Sequence, residues 1–219
     1  MRLFCFLGAG VIHESAHPNS SRNGTSQGER CLEPARSHHR GGFFVSWLSS
    51  GSSSDSISAQ KFDGSGSPSG SELTLNTGDV SHLTSGVSQG SGSSYLTALS
   101  DGSFVVSLPQ RDPESGFSEI LMQRYDAAGN SVGDGVEAVS ISGLSGIGDI
   151  QQVRVEELPD GNLVLAWSAT DGSSRGVFSQ VYNANIEPVA EIFVVNSNTH
   201  GDQLQPVIVP LEAGSFVLS

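Results

Sequence analysis

Aspartate and asparagine side chains in turn-like segments are the residues best suited to chemistry in this 219-residue chain. Asp126, Asn130 and Asp134 lie within one short segment, and Ca²⁺ is bound by such groups of side-chain oxygens. The competing interpretation is a turn, because Asp and Asn side chains bond to backbone amides nearby. Three further aspartates each precede a glycine: Asp101, Asp160 and Asp171. No EF-hand loop is present, so the sequence favours turns and leaves any metal ligand unknown.

Residues for catalysis do not assemble into a motif. His82 and His200 are the histidines after residue 40, and neither lies beside a G-x-S-x-G nucleophile motif. Glu156 and Glu157 are adjacent in a predicted strand, so their side chains point to opposite faces. The sequence contains neither a P-loop nor a dinucleotide-binding glycine motif. We therefore predict no catalytic and no cofactor-binding residues, and a protein that is not an enzyme.

An internal repeat defines the elements that would position these residues. A glycine followed by apolar residues recurs at intervals of 53 to 61 residues, at Gly41, Gly102, Gly161 and Gly214. A second segment follows the first three copies in the same order, beginning at Gln60, Gln123 and Gln180. Two segments that keep their order through three copies indicate tandem structural units after residue 40.

Each unit is predicted to contain four short antiparallel strands. In the third copy they cover 151–158, 162–168, 176–182 and 190–196, and Asp160-Gly161 provides a hairpin turn between the first two. The period suits a blade of a β-propeller better than a sandwich, which needs about 100 residues. The predicted fold class is therefore all-β, with four-stranded blade-like repeats. Residues 41–219 hold about three units, whereas closed propellers have about 4–8, so we expect a fragment of a longer array or self-association.

Two sets of repeated side chains have predicted structural roles. Apolar residues at one phase of the second strand are expected in the core, namely Phe43, Phe104, Leu163 and Phe216, with Trp47 and Trp167. The repeated glutamines Gln60, Gln123 and Gln180 are expected to form hydrogen bonds between units.

Charge separates the chain into two parts. Residues 1–40 have a net charge of +2, whereas the whole chain has a net charge of −13. We interpret 1–40 as a disordered leader or spurious start, with Met1 to Ile12 resembling a short signal peptide. Cys5, Cys31 and the His38-His39 pair match no zinc spacing.

The composition argues against binding to nucleic acid and against a membrane-spanning helix. Binding to nucleic acid requires clustered cations, and this chain has 10 Lys and Arg against 23 Asp and Glu. No apolar run approaches the ~20 residues of a membrane-spanning helix. An acidic surface that is poor in lysine suits an extracellular or cell-surface location, because net charge maintains solubility.

Three segments resemble a module of large secreted bacterial proteins, the RTX-type adhesins and haemolysin-type calcium-binding proteins. They are DGSFVV from Asp101, MQRYDAAGN from Met122 and VNSNTHGDQLQP from Val195. The resemblance covers 41–219 and departs at Leu108, where an aromatic residue is expected. It implies tandem propeller-type blades, a role in adhesion or as a spacer, and Ca²⁺ bound elsewhere in such proteins. The calcium-binding nonapeptides are absent from this sequence.

The resulting hypothesis is a non-catalytic structural or adhesive repeat segment of a larger secreted or cell-surface protein. Its expected partners are neighbouring repeats of the chain and a cell-surface glycan or protein. The alternative is a carbohydrate-binding, lectin-like or hydrolytic β-propeller whose active blades are absent from this sequence.

Overall fold

The computed structural model describes residues 30–31, 35–36, 42–50, 55–75, 96–111, 118–140, 148–170, 174–198 and 200–219. These residues form successive antiparallel sheets, in which neighbouring strands are mostly consecutive in the chain. The all-β fold with four-stranded repeats that the sequence predicted is confirmed. We number the sheets as units 1 to 4.

The strands of each unit follow the chain. In unit 1, β1 (Arg30–Cys31) and β2 (Ala35–Arg36) both pair with β3 (Gly42–Ser50), which is followed by β4 (Asp55–Asp63) and β5 (Leu73–Leu75). Unit 2 contains β6 (Leu96–Ala98), β7 (Phe104–Arg111), β8 (Ser118–Tyr125) and β9 (Ser131–Ser140). Unit 3 contains β10 (Gly148–Glu157), β11 (Leu163–Thr170), β12 (Arg175–Tyr182) and β13 (Phe193–Val194). Unit 4 pairs β14 (Ile208–Pro210) with β15 (Phe216–Leu218) across a 3₁₀ turn, Glu212–Gly214.

The structure differs from the sequence prediction at the fourth strand of unit 3 and in the segment before residue 40. The fourth strand of unit 3, predicted over 190–196, is reduced to Phe193–Val194, because the preceding residues form a turn that returns through a bridge from Tyr182 to Pro188. Strands β1 and β2 lie in the segment that the sequence assigned to a leader and pair with β3. The other residues of 1–40 lie outside the described part of the chain.

A tight turn joins the first two strands of units 2 and 3. In unit 3 the Leu158 amide donates to the Asn162 carbonyl at 2.7 Å, and the Gly161 amide donates to the Leu158 carbonyl at 2.9 Å. Gly161 has a φ of 84°, which costs a side-chain-bearing residue free energy but suits glycine. Gly102 repeats this conformation in unit 2 with a φ of 86°. The hairpin predicted from Asp160-Gly161 is therefore present.

The units stack face to face through three buried clusters. The cluster between units 1 and 2 contains Phe44, Phe104 and Val106, and the cluster between units 2 and 3 contains Val105 and Leu165. The third cluster joins units 3 and 4 through Val164, Ala166 and Ile208. Successive residues of a strand point to opposite faces, so β7 and β11 each contribute side chains to two different clusters.

The predicted core residues differ by their position in the stack. Phe104, Leu163 and Trp167 are fully buried, as predicted. Phe43 and Trp47 in unit 1 and Phe216 in unit 4 are only half-buried. The prediction of a uniform core is therefore wrong for the outer units. A residue of these sheets is fully buried only where a neighbouring sheet covers its face. Among the described residues, units 1 and 4 have a neighbouring sheet on one side only.

A truncation in the interface between units 2 and 3 tests this packing. Leu165 is 0% exposed, so Leu165→Ala leaves a cavity and is expected to lower the free energy of unfolding by about 2–5 kcal/mol in urea titrations. Val189→Ala is the control, because Val189 is 55% exposed and its truncation is expected to cost at most about 0.5 kcal/mol. Equal effects of the two substitutions would contradict the packing described here.

Candidate functional site

The first strands of units 2 to 4 adjoin one another. Strand β10 contacts β6, β7 and β8 of unit 2 and β14 of unit 4, so the first strands of consecutive units lie close together. We call β6, β10 and β14 the inner strands. The end where these strands begin is called the hub end, and it is built by the segments entering β10 and β14.

A repeated glutamine shapes the hub end. Gln152 and Gln205 occupy equivalent positions three residues after Asp149 and Asp202, and both have positive φ, 55° and 59°. The Oε1 atom of Gln152 accepts hydrogen bonds from the Gln205 amide at 2.7 Å and from the Ser168 hydroxyl at 3.0 Å. This buried amide therefore connects unit 3 to the start of unit 4.

Arg175 lies between the two repeated aspartates. Its Nη1 atom donates to the Asp149 carbonyl at 3.3 Å, and its backbone amide donates to Asp202 Oδ1 at 3.1 Å. The Arg175 carbonyl in turn accepts from the Gln203 amide at 2.8 Å. Both aspartates are exposed. The Asp202 carboxylate therefore lies against the Arg175 backbone, and both aspartates are open to solvent at the hub end, where a polar ligand can reach them.

The segment entering β14 is held by its own amide side chains. Asn196 Oδ1 accepts from the Val177 amide at 2.8 Å, and Asn196 Nδ2 donates to Gln203 Oε1 at 3.0 Å. Gln203 Nε2 donates to the carbonyl of His200 at 3.1 Å. These bonds fix the loop on β12, and His200 and Asp202 remain exposed on this loop.

The aspartates at the other ends of the strands form turns. Asp126 Oδ1 accepts from the amides of Ala128 and Asn130, each at 2.9 Å. The Asn130 side chain donates to Asp126 Oδ2 at 2.9 Å, and this bond holds the pKa of Asp126 below its ordinary value. Asp63 and Asn183 make equivalent amide bonds in units 1 and 3. The turn role predicted for Asp126 is thus present.

Asp101 links two units through an arginine. Arg124 Nη2 lies 2.5 Å from Asp101 Oδ2, and Arg124 Nη1 donates to the Ala184 carbonyl of unit 3 at 2.7 Å. Partial burial raises the pKa of Asp101, but hydrogen bonds from Ser103 and the charge of Arg124 outweigh it. The pKa of this carboxyl therefore lies below its ordinary value of 3.8.

The repeated glutamines bond within their own units, which corrects the predicted bonds between units. Gln60 Nε2 donates to the Gly70 carbonyl at 3.3 Å, Gln123 Nε2 to the Val132 carbonyl at 3.2 Å and Gln180 Nε2 to the Ala190 carbonyl at 2.9 Å. Each glutamine side chain bonds to a backbone carbonyl in the segment that follows the third strand of its own sheet, so it makes no bond to a neighbouring unit through this amide. The amides thereby hold the outer edge of each unit.

The bonds between units come from residues that the sequence reasoning missed. The Thr97 hydroxyl donates to the Val155 carbonyl at 2.8 Å. Glu157 accepts from the Ser100 amide at 2.5 Å and from the Ser100 hydroxyl at 3.0 Å. The repeat Gly148-Asp149-x-x-Gln152 and Gly201-Asp202-x-x-Gln205 was the available signal for the hub end, because one copy begins β10 and the other precedes β14.

The other residues that the sequence analysis considered are not placed in a site by the described part of the structure. His82, Asp171 and Cys5 lie outside the described residues, and Asp134 lies in β9. Within the described ranges no three His, Cys, Asp or Glu side chains are grouped to hold a metal ion. In the same part of the chain no helix is long and apolar enough to cross a membrane.

The stacked four-stranded sheets define a protein of the β-propeller type. The endo-arabinase from Bacteroides thetaiotaomicron VPI-5482 is similar, with a TM-score of 0.51 and 18% identity over 84% of this chain and 68% of that one. The xylan β-1,4-xylosidase from Bacillus halodurans C-125 is similar with a TM-score of 0.50 and 14% identity, over 86% of this chain and 36% of that one. No family model and no curated protein sequence matches the chain.

These structural neighbours overturn two predictions from the sequence. Because both neighbours are glycoside hydrolases, the prediction of a non-catalytic structural or adhesive segment is contradicted, and so is the prediction that the chain is not an enzyme. The finding favours the hydrolytic propeller that was the alternative. The RTX-type resemblance, the association with Ca²⁺, the partners and the extracellular location stay predictions.

Removing the buried amide of Gln152 tests the connection at the hub end. Gln152→Ala leaves the Gln205 amide and the Ser168 hydroxyl without this acceptor, so the free energy of unfolding is expected to fall by about 1–3 kcal/mol. Gln205→Ala is the matched control, since Gln205 is exposed and has a similar φ of 59°. A loss of stability as large in the control as in Gln152→Ala would show that the backbone conformation, and not the amide, is responsible.

Acid titration tests the ion pair of Asp101. Since its pKa in the folded protein lies below 3.8, its stabilisation is present above that pH and is lost as the pH falls through the folded value. The difference in unfolding free energy between the wild type and Asp101→Asn should therefore shrink as the pH is lowered from neutrality to 3 or below. Urea titrations at several pH values measure it. A difference that stays constant down to the lowest pH would contradict the shift.

Proposed function

We propose that this protein is a β-propeller that hydrolyses glycosidic bonds of a polysaccharide or oligosaccharide. The observation that carries the proposal is the propeller fold that the chain shares with an endo-arabinase and a xylan β-1,4-xylosidase. The arrangement of the hub end supports it, because the Arg175 side chain bonds there to the Asp149 carbonyl and the Arg175 amide bonds to the Asp202 carboxylate.

The reaction requires two carboxyl groups. One protonates the oxygen of the leaving sugar, and the other activates water or attacks the anomeric carbon. Asp149 and Asp202 are the carboxylates that the repeat places at equivalent positions, at the start of β10 and ahead of β14. Both are exposed, so a sugar ring can reach them without displacing the core. We assign these two residues to the carboxyl pair.

The neighbouring side chains suit the recognition of sugar hydroxyls. Arg175 and His200 provide hydrogen-bond donors at the hub end, and Arg175 is held against the Asp149 carbonyl at 3.3 Å. The bonds of Asn196 and Gln203 preorganise the loop that carries His200 and Asp202. A binding surface built on fixed loops orients its ligand with a small loss of entropy.

Release of sugar from defined substrates tests the proposal. The wild-type chain is assayed with arabinan, xylan and their oligosaccharides, and soluble reducing ends are measured. We expect release from at least one of these substrates. Asp149→Asn and Asp202→Asn are each expected to lower kcat by about 10²–10⁴-fold, the usual contribution of a general acid or base.

Asp160→Asn is the matched control, because Asp160 is an exposed carboxylate in the turn at the other end of β10 and should leave kcat unchanged. Release that is insensitive to both Asp149→Asn and Asp202→Asn would overturn the assignment of the carboxyl pair. Binding of these sugars without any release would contradict hydrolysis and favour the carbohydrate-binding alternative.

A further inference from the structure

Strand β10 is irregular where it begins at the hub end. Its register with β11 shifts between Gly148 and Gln151 and again between Gln151 and Arg154, because each time β10 advances three residues while β11 advances two. Such bulges bend a strand and redirect its side chains, and they are common beside active sites. Asp149 lies in the first bulge and Gln152 in the second. The direction of the Asp149 side chain therefore depends on how this stretch of β10 is held.

The backbone of Gln152 has a conformation that glutamine rarely adopts. Its φ is 55°, and the equivalent Gln205 ahead of β14 has a φ of 59°. This left-handed region is unfavourable for a residue with a side chain, so the conformation persists only where the surrounding contacts enforce it. Backbone conformations of this kind are concentrated at active sites and ligand-binding sites. Their occurrence at two equivalent positions points to a function of the hub end.

The Gln152 side chain provides the first link between the two segments. It is 8% exposed, and its Oε1 atom accepts hydrogen bonds from the Gln205 amide at 2.7 Å and from the Ser168 hydroxyl at 3.0 Å. A backbone amide can only donate, so the oxygen of the Gln152 side chain must face Gln205. One oxygen atom is thus held by β11 and in turn holds the segment entering β14.

Arg175, the first residue of β12, provides a second and independent link. Its Nη1 atom donates to the Asp149 carbonyl at 3.3 Å, and its backbone amide donates to Asp202 Oδ1 at 3.1 Å. The Gln203 amide donates to the Arg175 carbonyl at 2.8 Å. Two bonds therefore anchor the segment around Asp202 to the residue that also holds the backbone of Asp149.

The two links and the chain between them form a closed ring. Asp149 is three residues from Gln152, and Asp202 is three residues from Gln205. Three residues span at most about 11 Å, so both aspartates lie close along the chain to the bond between the glutamines. On the other side of the ring both are bonded to Arg175. Two links fix the position of one segment relative to the other, whereas a single link would let the segments pivot.

We propose that Gln152 is a positioning residue, which sets the placement of Asp149 relative to Asp202 and acts on the sugar only through them. The inference rests on the proposed function, in which these two aspartates form the carboxyl pair. The spacing of such a pair determines whether a water molecule fits between carboxylate and sugar. A displacement of about 1 Å from the reactive geometry can lower the rate by about 10²-fold.

Replacement of Gln152 by a side chain of similar length tests the proposal. Gln152→Met retains a flexible side chain but lacks the oxygen that bonds to Gln205. For an oligosaccharide that the wild type cleaves, kcat is expected to fall by about 10- to 100-fold. KM should stay within about twofold, because the groups that bind the sugar are unchanged.

Gln180→Met is the matched control. Gln180 is also 8% exposed and lies in the same unit, but its side chain bonds to the Ala190 carbonyl at the outer edge. Its replacement removes a buried amide without touching the ring at the hub end, so kcat should equal that of the wild type. Circular dichroism and urea titration show whether each variant is folded at the assay temperature.

Two further measurements separate positioning from a general loss of structure. In a double-mutant cycle, Gln152→Met should lower kcat much less once Asp202→Asn is present, since one of the groups to be positioned is then absent. Hydrogen exchange of the Gln205 amide reports the bond itself and should be faster in Gln152→Met than in the wild type. Should Gln152→Met unfold, Ser168→Ala removes one of the two bonds to Gln152 Oε1 and is expected to lower kcat to a smaller extent.

A Gln152→Met variant with the kcat of the wild type would overturn the positioning role and leave the proposed function standing. Equal losses of kcat in Gln152→Met and Gln180→Met would also overturn it, and so would an undiminished loss on the Asp202→Asn background. A wild type that releases no sugar from any of the substrates would instead contradict the proposed function, and this inference with it.

Discussion

The structure depends on covering both apolar faces of each sheet. In β11 the run from Leu163 to Ala169 is buried throughout, because one side of the strand packs on unit 2 and the other on unit 4. A strand buried on both faces has an almost continuous apolar sequence, as in sheets covered on both sides. A single unit of this kind would expose one apolar face or both, so the units are stable only as a stack.

Stacking also determines where polar chemistry can occur. With both faces of the sheets occupied, exposed functional groups are confined to the strand ends and connecting loops. At one end, Asp101 and Arg124 connect unit 2 to the Ala184 carbonyl of unit 3. At the hub end, Gln152 connects unit 3 to unit 4 through the Gln205 amide. The candidate carboxylates, Asp149 and Asp202, each lie three residues before a partner in this contact.

The repeating pattern was sufficient to predict the sheets. The glycine at 102 and 161 marks a turn that requires a positive φ, and the alternation after it identifies the second strand, so the order and number of strands in units 2 and 3 followed from local chemistry. The half-burial of Phe43 and Phe216 did not follow, since burial depends on whether a neighbouring unit is present. The short β13 could not be predicted either, because a bridge from Tyr182 to Pro188 uses part of its partner strand.

The candidate site was less accessible to sequence reasoning. Asp149 and Asp202 each follow a glycine and resemble ordinary turn residues. Folding brings the Asp149 carbonyl and the Asp202 carboxylate, which are far apart in the sequence, to the same arginine, Arg175. A site assembled across units has no local motif, so sequence reasoning alone does not single out these two residues. Both aspartates are followed by a glutamine three residues later, and this spacing is visible in the sequence. The structural role of the repeat became clear only from the structure, in which both glutamines have a positive φ.

The most direct test of the central claim, that the hub end binds the glycan to be cleaved, is to map sugar binding on the folded chain. Amide chemical shifts are followed by NMR while arabino- and xylo-oligosaccharides are titrated. The proposed site predicts shifts at Asp149, Arg175 and Asp202, with no change at Asp101 or Arg124 at the other end. Shifts confined to Asp101 and Arg124, or no shifts with any of these sugars, would contradict it.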